Sequence, residues 1–121
     1  KMKTHIISFA LICTVLFTAQ FVNAQSQNLK TTDIKVYGNC GMCKKTIEKA
    51  GNVKGISKTV WDTETTMATI TIDSTKTSIN EVLKKIAAVG YDSDKFRAPD
   101  SVYKKLHGCC QYDRPSKIEN P

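Results

Sequence analysis

Two cysteines three apart, Cys40 and Cys43, occupy the stretch YGNCGMCKK. At the start of a helix, positions i and i+3 share a face, so both sulfurs can converge on one point. The free amide N–H groups of a first turn, the helix dipole and the ammoniums of Lys44 and Lys45 all favour negative sulfur, and low-pKa thiolates follow. Two thiolates with no oxygen ligand beside them suit soft ions, Cu(I) first, then Hg(II), and Zn(II) only where further ligands complete its tetrahedron. The same pair could attack a disulfide. It could also close into a structural bridge, although so short a loop restrains the unfolded chain little.

A second set of soft ligands follows near the end of the chain, where His107, Cys109 and Cys110 flank Gly108. Three uses compete for it: a secondary or shared metal site, thiol exchange with Cys40 or Cys43, and a bridge within the tail or to another chain. A bond between the adjacent Cys109 and Cys110 would be strained. Met42, between the first two cysteines, offers only a weak thioether, and a variable loop residue is its simpler reading.

The elements around these residues are readable from periodicity. TDIKVY, residues 32–37, alternates with Ile34 and Val36 on one side, as a half-buried strand does. Cys43 to Ala50 carries helix formers with Cys43, Ile47 and Ala50 on one face. ISKTVWD and MATITID read as two strands joined by TETT, with Ala68, Ile70 and Ile72 on one face of the second; in the first, Val60 and Trp61 compete for burial. Ser78-Ile79-Asn80-Glu81 is a capping box, and Ile79, Val82, Leu83, Ile86 and Ala87 then follow helical spacing up to Gly90. A short edge strand is expected around Lys95–Arg97, closed by Pro99.

The order β, α, β, β, α, β over residues 32–98 predicts an α+β ferredoxin-like fold, a four-stranded antiparallel sheet with two helices on one face. Residues 99–121 form a tail, with two helical turns expected over Ser101–His107 and Val102, Tyr103 and Leu106 as docking residues.

The chain opens with Lys1 and Lys3 before an uncharged apolar run from Ile6 to about Phe17, then Val22-Asn23-Ala24. This is the order of a secretory signal peptide over residues 1–24, too short in its apolar part for a membrane span, and it would carry Cys13 away. A flexible lead-in over 25–31 would follow, and the processed protein would be periplasmic or secreted with no stable membrane insertion. Of the 18 basic and 11 acidic side chains the leader takes two lysines, so a net charge of +5 remains, spread along the chain. Nothing resembles a nucleic-acid stripe. Neither a Ser/His/Asp set nor a phosphate-cradling glycine loop is present, which points away from an enzyme.

A CxxC between the first strand and first helix of a βαββαβ unit resembles the heavy-metal-associated domain of copper chaperones, metal-ATPase amino-terminal domains and periplasmic mercury-binding proteins. The likeness covers residues 32–98 and extends to Gly55-Ile56 at the second strand and to Gly90-Tyr91 after the second helix. It implies that Cys40 and Cys43 are the metal ligands, that Tyr91 packs beside or over the metal loop, and that a metal-transporting protein or membrane metal transporter is the partner. One departure stands out: the family carries Met two residues before the first cysteine, packed under the loop, and this chain has Gly38. CGMCK also resembles the CGPCK of thioredoxins, which keeps a thiol–disulfide oxidoreductase open as the alternative. Against it, few residues precede the motif, no proline stands between Cys40 and Pro99, and Asn39 replaces the usual tryptophan.

Overall fold

The computed structural model describes residues 28–118. The expected signal peptide, Cys13 and the start of the lead-in lie outside the described residues. The elements are β1 (Leu29–Lys35), α1 (Gly41–Gly51), β2 (Ser57–Trp61), β3 (Met67–Asp73), α2 (Ile79–Ala88), the short α3 (Asp100–Tyr103) and a 3-10 turn at Gly108–Cys110. This is an α+β chain. Among the described residues no helix is long and apolar enough to cross a membrane.

The sheet is antiparallel with order β1-β3-β2. Ala68 of the central strand lies between Ile34 and Trp61, and Ile70 between Thr32 and Thr59. Alternation therefore buries Ile34, Thr59, Trp61, Ala68, Ile70 and Ile72 on one face, and α1 and α2 cover that face with Cys43, Ile47, Val82, Leu83 and Ile86. The competition in β2 goes to Trp61, wholly buried, while Val60 faces solvent. The larger side chain wins because its indole N–H also finds an acceptor, Val36 O at 2.9 Å. Ser78 Oγ caps α2 by accepting the Glu81 N–H at 3.2 Å. β1 starts at Leu29, inside the expected lead-in, because Leu29 to Thr31 already pair with Asp73 to Thr71.

The four-stranded sheet expected from the sequence is corrected to three strands. Where the fourth was expected, residues 91–98 meet the chain just past the end of β1 through a single bridge, Val36 to Ser93, flanked by Tyr37 N–H to Asp92 O at 2.8 Å and Asp94 N–H to Lys35 O at 3.2 Å. The cause is local side-chain chemistry. Ser93 Oγ accepts the Phe96 N–H at 3.0 Å, Ser93 N–H reaches Phe96 O at 2.8 Å, and Asp92 Oδ1 accepts the Ala98 N–H at 2.7 Å. These bonds curl the chain into a turn, so Lys95–Arg97 cannot run along β1.

The tail folds back over this turn. Gly90 ends α2 with a φ of 107° that ordinary residues avoid, and a Cβ there would lie 3.0 Å from Leu106 Cδ2. Only glycine admits the tail at this approach. Helix α3 is one short turn where two were expected, and of the expected docking residues Tyr103 and Leu106 pack against the core.

Candidate metal centre

The loop from Val36 to Cys40 leaves the sheet and enters α1 with Cys40 as its first flanking residue, in extended conformation. Cys40 O accepts the Lys44 N–H at 3.0 Å, so the cysteine starts the helix with its side chain over the first turn. Cys43 follows one turn on, wholly buried, and its Sγ lies 3.4 Å from Cys40 Sγ. Gly38 makes room: a Cβ there would meet Trp61 Cζ2 at 3.0 Å and Cη2 at 3.1 Å. The indole thus fills the space under the loop that a side chain at position 38 would need.

The third sulfur comes from the tail. Cys110, buried, brings its Sγ to 3.8 Å from Cys40 Sγ, and the sulfurs of Cys40, Cys43 and Cys110 all lie within 4.8 Å of one another. Cys40, Cys43, Cys109 and Cys110 are free thiols.

The electrostatics of the three sulfurs differ. The backbone N–H of Cys43, aided by that of Met42 and by the neighbouring thiols, holds Cys40 down at about 7 against an ordinary 9.0. Burial pushes Cys110 up to about 12, with the Cys43 and Cys40 sulfurs adding to the rise. Burial and then the Cys43 and Cys110 sulfurs raise the Tyr91 phenol well above its usual range, so Tyr91 remains a neutral hydroxyl beside the thiol cluster. Asn39 adds two contacts, its N–H to Cys43 Sγ at 3.4 Å and its side-chain amide to Cys109 O at 3.3 Å.

Other residues singled out from the sequence lie elsewhere. Lys44 does not face the sulfurs: its ammonium bonds Glu48 Oε1 at 2.6 Å and the Trp61 carbonyl. Lys45 is on the exposed side of α1. His107 is exposed and outside the three-sulfur group, as is Cys109. Cys109 Sγ lies 3.8 Å from the Sδ of the exposed Met42, at the rim.

What holds Cys110 in place was not read from the sequence. Tyr112, two residues on, is buried among Tyr37, Tyr91 and Tyr103, with ring centroids 6.4, 5.9 and 5.2 Å away. Its hydroxyl donates to Gly90 O at 3.0 Å and accepts the Asp92 N–H at 2.7 Å. Arg114 grips the wholly buried Asp92 through both carboxylate oxygens, each at 2.7 Å, and its remaining donors reach Asp100 and Ala98 O, each at 2.6 Å. Burial alone would raise the Asp92 carboxyl, but Arg114 and the Ala98 amide hold it below the usual carboxylate range. The available signal was an aromatic and an arginine soon after Cys110, beside an acid directly after Tyr91.

No protein-family model matches the chain. It is 38% identical over 66 residues to the mercuric transport protein periplasmic component of Pseudomonas aeruginosa, spanning 53% of this chain and 72% of that protein. Among solved structures, oxidized MerP from Ralstonia metallidurans CH34 matches at 37% identity over 54% of this chain and 93% of that one, with a TM-score of 0.49. A CopZ metallochaperone matches at 26% identity over 53% and 98%, with a TM-score of 0.48.

Proposed function

The chain belongs to the heavy-metal-associated domain family, and from that premise we propose that it is an exported carrier that captures a soft heavy-metal ion at Cys40 and Cys43. The observation that carries this reading is the sulfur pair itself, 3.4 Å apart at the start of α1, with Cys40 held near neutral by first-turn amides. A thiol lowered to about 7 is substantially ionised at neutral pH and binds Cu(I) or Hg(II) with less proton competition than an ordinary cysteine. The relative named for mercuric transport supports Hg(II) as cargo; the thiolate chemistry supports Cu(I) equally. In this reading the fold is the ferredoxin-like plan with its fourth strand reduced to one bridge, residues 99–118 are a tail docked on that domain, and the leader directs the protein to the periplasm.

Transfer proceeds by ligand exchange. An incoming thiolate from a membrane metal transporter adds to the ion, a three-coordinate intermediate forms, and one cysteine leaves as its proton returns from solvent. The ion is cargo and no bond of a substrate is broken, so the protein is a binder and not an enzyme. Tyr91, buried in the core beside the loop, shields its inner side, and Lys45 adds positive charge to the surface an acidic partner would meet.

Titration of the reduced full chain with Hg(II) or Cu(I), followed by native mass spectrometry, tests this. One ion per chain is expected, bound more weakly in Cys40→Ser and in Cys43→Ser; unchanged stoichiometric binding in both variants refutes it. The alternative oxidoreductase predicts metal-free reduction of insulin disulfides, an assay in which a carrier is inactive.

A further inference from the structure

We propose that Cys110 is a third thiolate ligand, so that the ion is held by three sulfurs drawn from two ends of the domain and not by the CxxC pair alone. The inference rests on the carrier reading and extends it. Three observations carry it.

The first is the spacing of the sulfurs. A metal–thiolate bond of about 2.3 Å separates two sulfurs by ~4.6 Å across a linear ion and by ~4.0 Å around a planar three-coordinate one. The pairs at 3.4 and 3.8 Å, with the third within 4.8 Å, frame a three-coordinate ion. The CxxC pair alone is too close for a linear one and would have to open by more than an ångström.

The second is the contrast between neighbours. A buried free cysteine is often only a small apolar filler, and Cys110 on those grounds could be one. Yet Cys110 Sγ, buried, faces Cys40 Sγ at 3.8 Å, while Cys109, beside it in the chain, is exposed. The turn at Gly108–Cys110 sends one sulfur of the pair inward and leaves the other at the rim.

The third is the anchor. Tyr112 and Arg114 fix the backbone immediately after Cys110 through buried hydrogen bonds and a two-pronged ion pair to Asp92. A ligand held this way pays little ordering entropy when the ion arrives, and its effective concentration at the site is high. Cys110 thus supplies from within the chain the third ligand that exchange passes through.

The test is X-ray absorption at the metal edge on the reduced full chain loaded with one Hg(II), and separately one Cu(I), with iodoacetamide protection read in parallel. Three sulfurs on the ion and Cys110 protected are expected in the wild type, a sulfur count of two in Cys110→Ser and Cys110→Ala, and three in Cys109→Ser. Two sulfurs in the wild type, with Cys110 alkylated in the loaded protein, overturn this inference and leave the carrier reading intact. Absence of stoichiometric binding in the wild type overturns the carrier reading and this inference with it. The wild-type measurement stands whether or not the Cys110 variants fold.

Discussion

Replacing Arg114 by alanine tests the anchor on which the arrangement of sulfurs depends. Asp92 is wholly buried and Arg114 is 11% exposed, so the pair lies out of water and is not a surface contact. Removing one partner of a buried pair costs about 3–5 kcal/mol because the remaining charge is left unpaired. The Ala98 N–H still donates to Asp92 at 2.7 Å, which places the loss near the lower end, ~3 kcal/mol. That is a large fraction of the ~5–15 kcal/mol that holds a small domain together. In a thermal melt it corresponds to roughly 12–24 °C. Arg114→Lys keeps the charge but not the fork, and should recover only part of the loss.

The pH dependence gives the sign. In the wild type the Asp92 carboxyl lies below its ordinary 3.8, so the stabilisation from the pair is complete above that value and is lost as pH falls through the lower folded value. In Arg114→Ala the largest opposition to burial is gone, with only the Ala98 amide and the Tyr112 hydroxyl left against it, so the Asp92 pKa rises and the variant unfolds less readily as acid neutralises the carboxylate. The gap between the two proteins should therefore shrink on mild acidification. Urea denaturation across pH measures both quantities. A loss under about 1 kcal/mol at neutral pH, or a gap that widens in acid, would sink the reasoning that this pair anchors the tail.

Thiol reactivity should rank by position and charge: in the reduced metal-free chain, iodoacetamide should modify the exposed Cys109 and the half-buried Cys40 first, with Cys43 and Cys110 protected. Because the folded Cys40 value is depressed from 9.0 to about 7, its alkylation rate should drop as pH falls through about 7, and any stability its thiolate contributes is lost over the same range; a rate that stays flat down to pH 5 refutes the thiolate assignment. Gly38→Met should cost ~1–3 kcal/mol by overpacking against the Trp61 ring. Much of that loss should return in the double variant with Trp61→Leu, whereas strictly additive losses in denaturation would show that the two positions do not compete for one space.

Local pattern explains what was legible. The alternation in β1 and β3, the Ser78 cap and the helical spacing up to Ile86 each depend on residues within one element, and each element formed. The CxxC was legible for the same reason, since one helical turn sets where Cys40 and Cys43 point. What escaped depends on contacts distant in sequence. Whether Val60 or Trp61 turned inward depended on the acceptor at Val36 O. Lys44 was assigned to the thiolates because it is adjacent in sequence, yet Glu48 one turn on and the Trp61 carbonyl offered it nearer partners. The inward turn of Cys110 depended on Asp92 and Arg114, 22 residues apart.

The missing fourth strand and the presence of Cys110 at the site share one cause. Asp92 and Ser93 spend their side chains on the amides of Ala98 and Phe96, and that turn is what stops residues 95–97 from running along β1. The same turn leaves the second oxygen of Asp92 buried and without a backbone donor, a charge that cannot persist without a partner. Arg114 supplies that partner, and meeting Asp92 requires the tail to double back across the loop end of the sheet. The path from Leu106 to Arg114 then passes over the sulfur pair, and the residue that reaches it is Cys110. A full edge strand in place of that turn would take Asp92 out of position for Arg114 and leave the tail without its strongest anchor. The departure from the four-stranded plan therefore accounts physically for a third sulfur beside a two-cysteine motif.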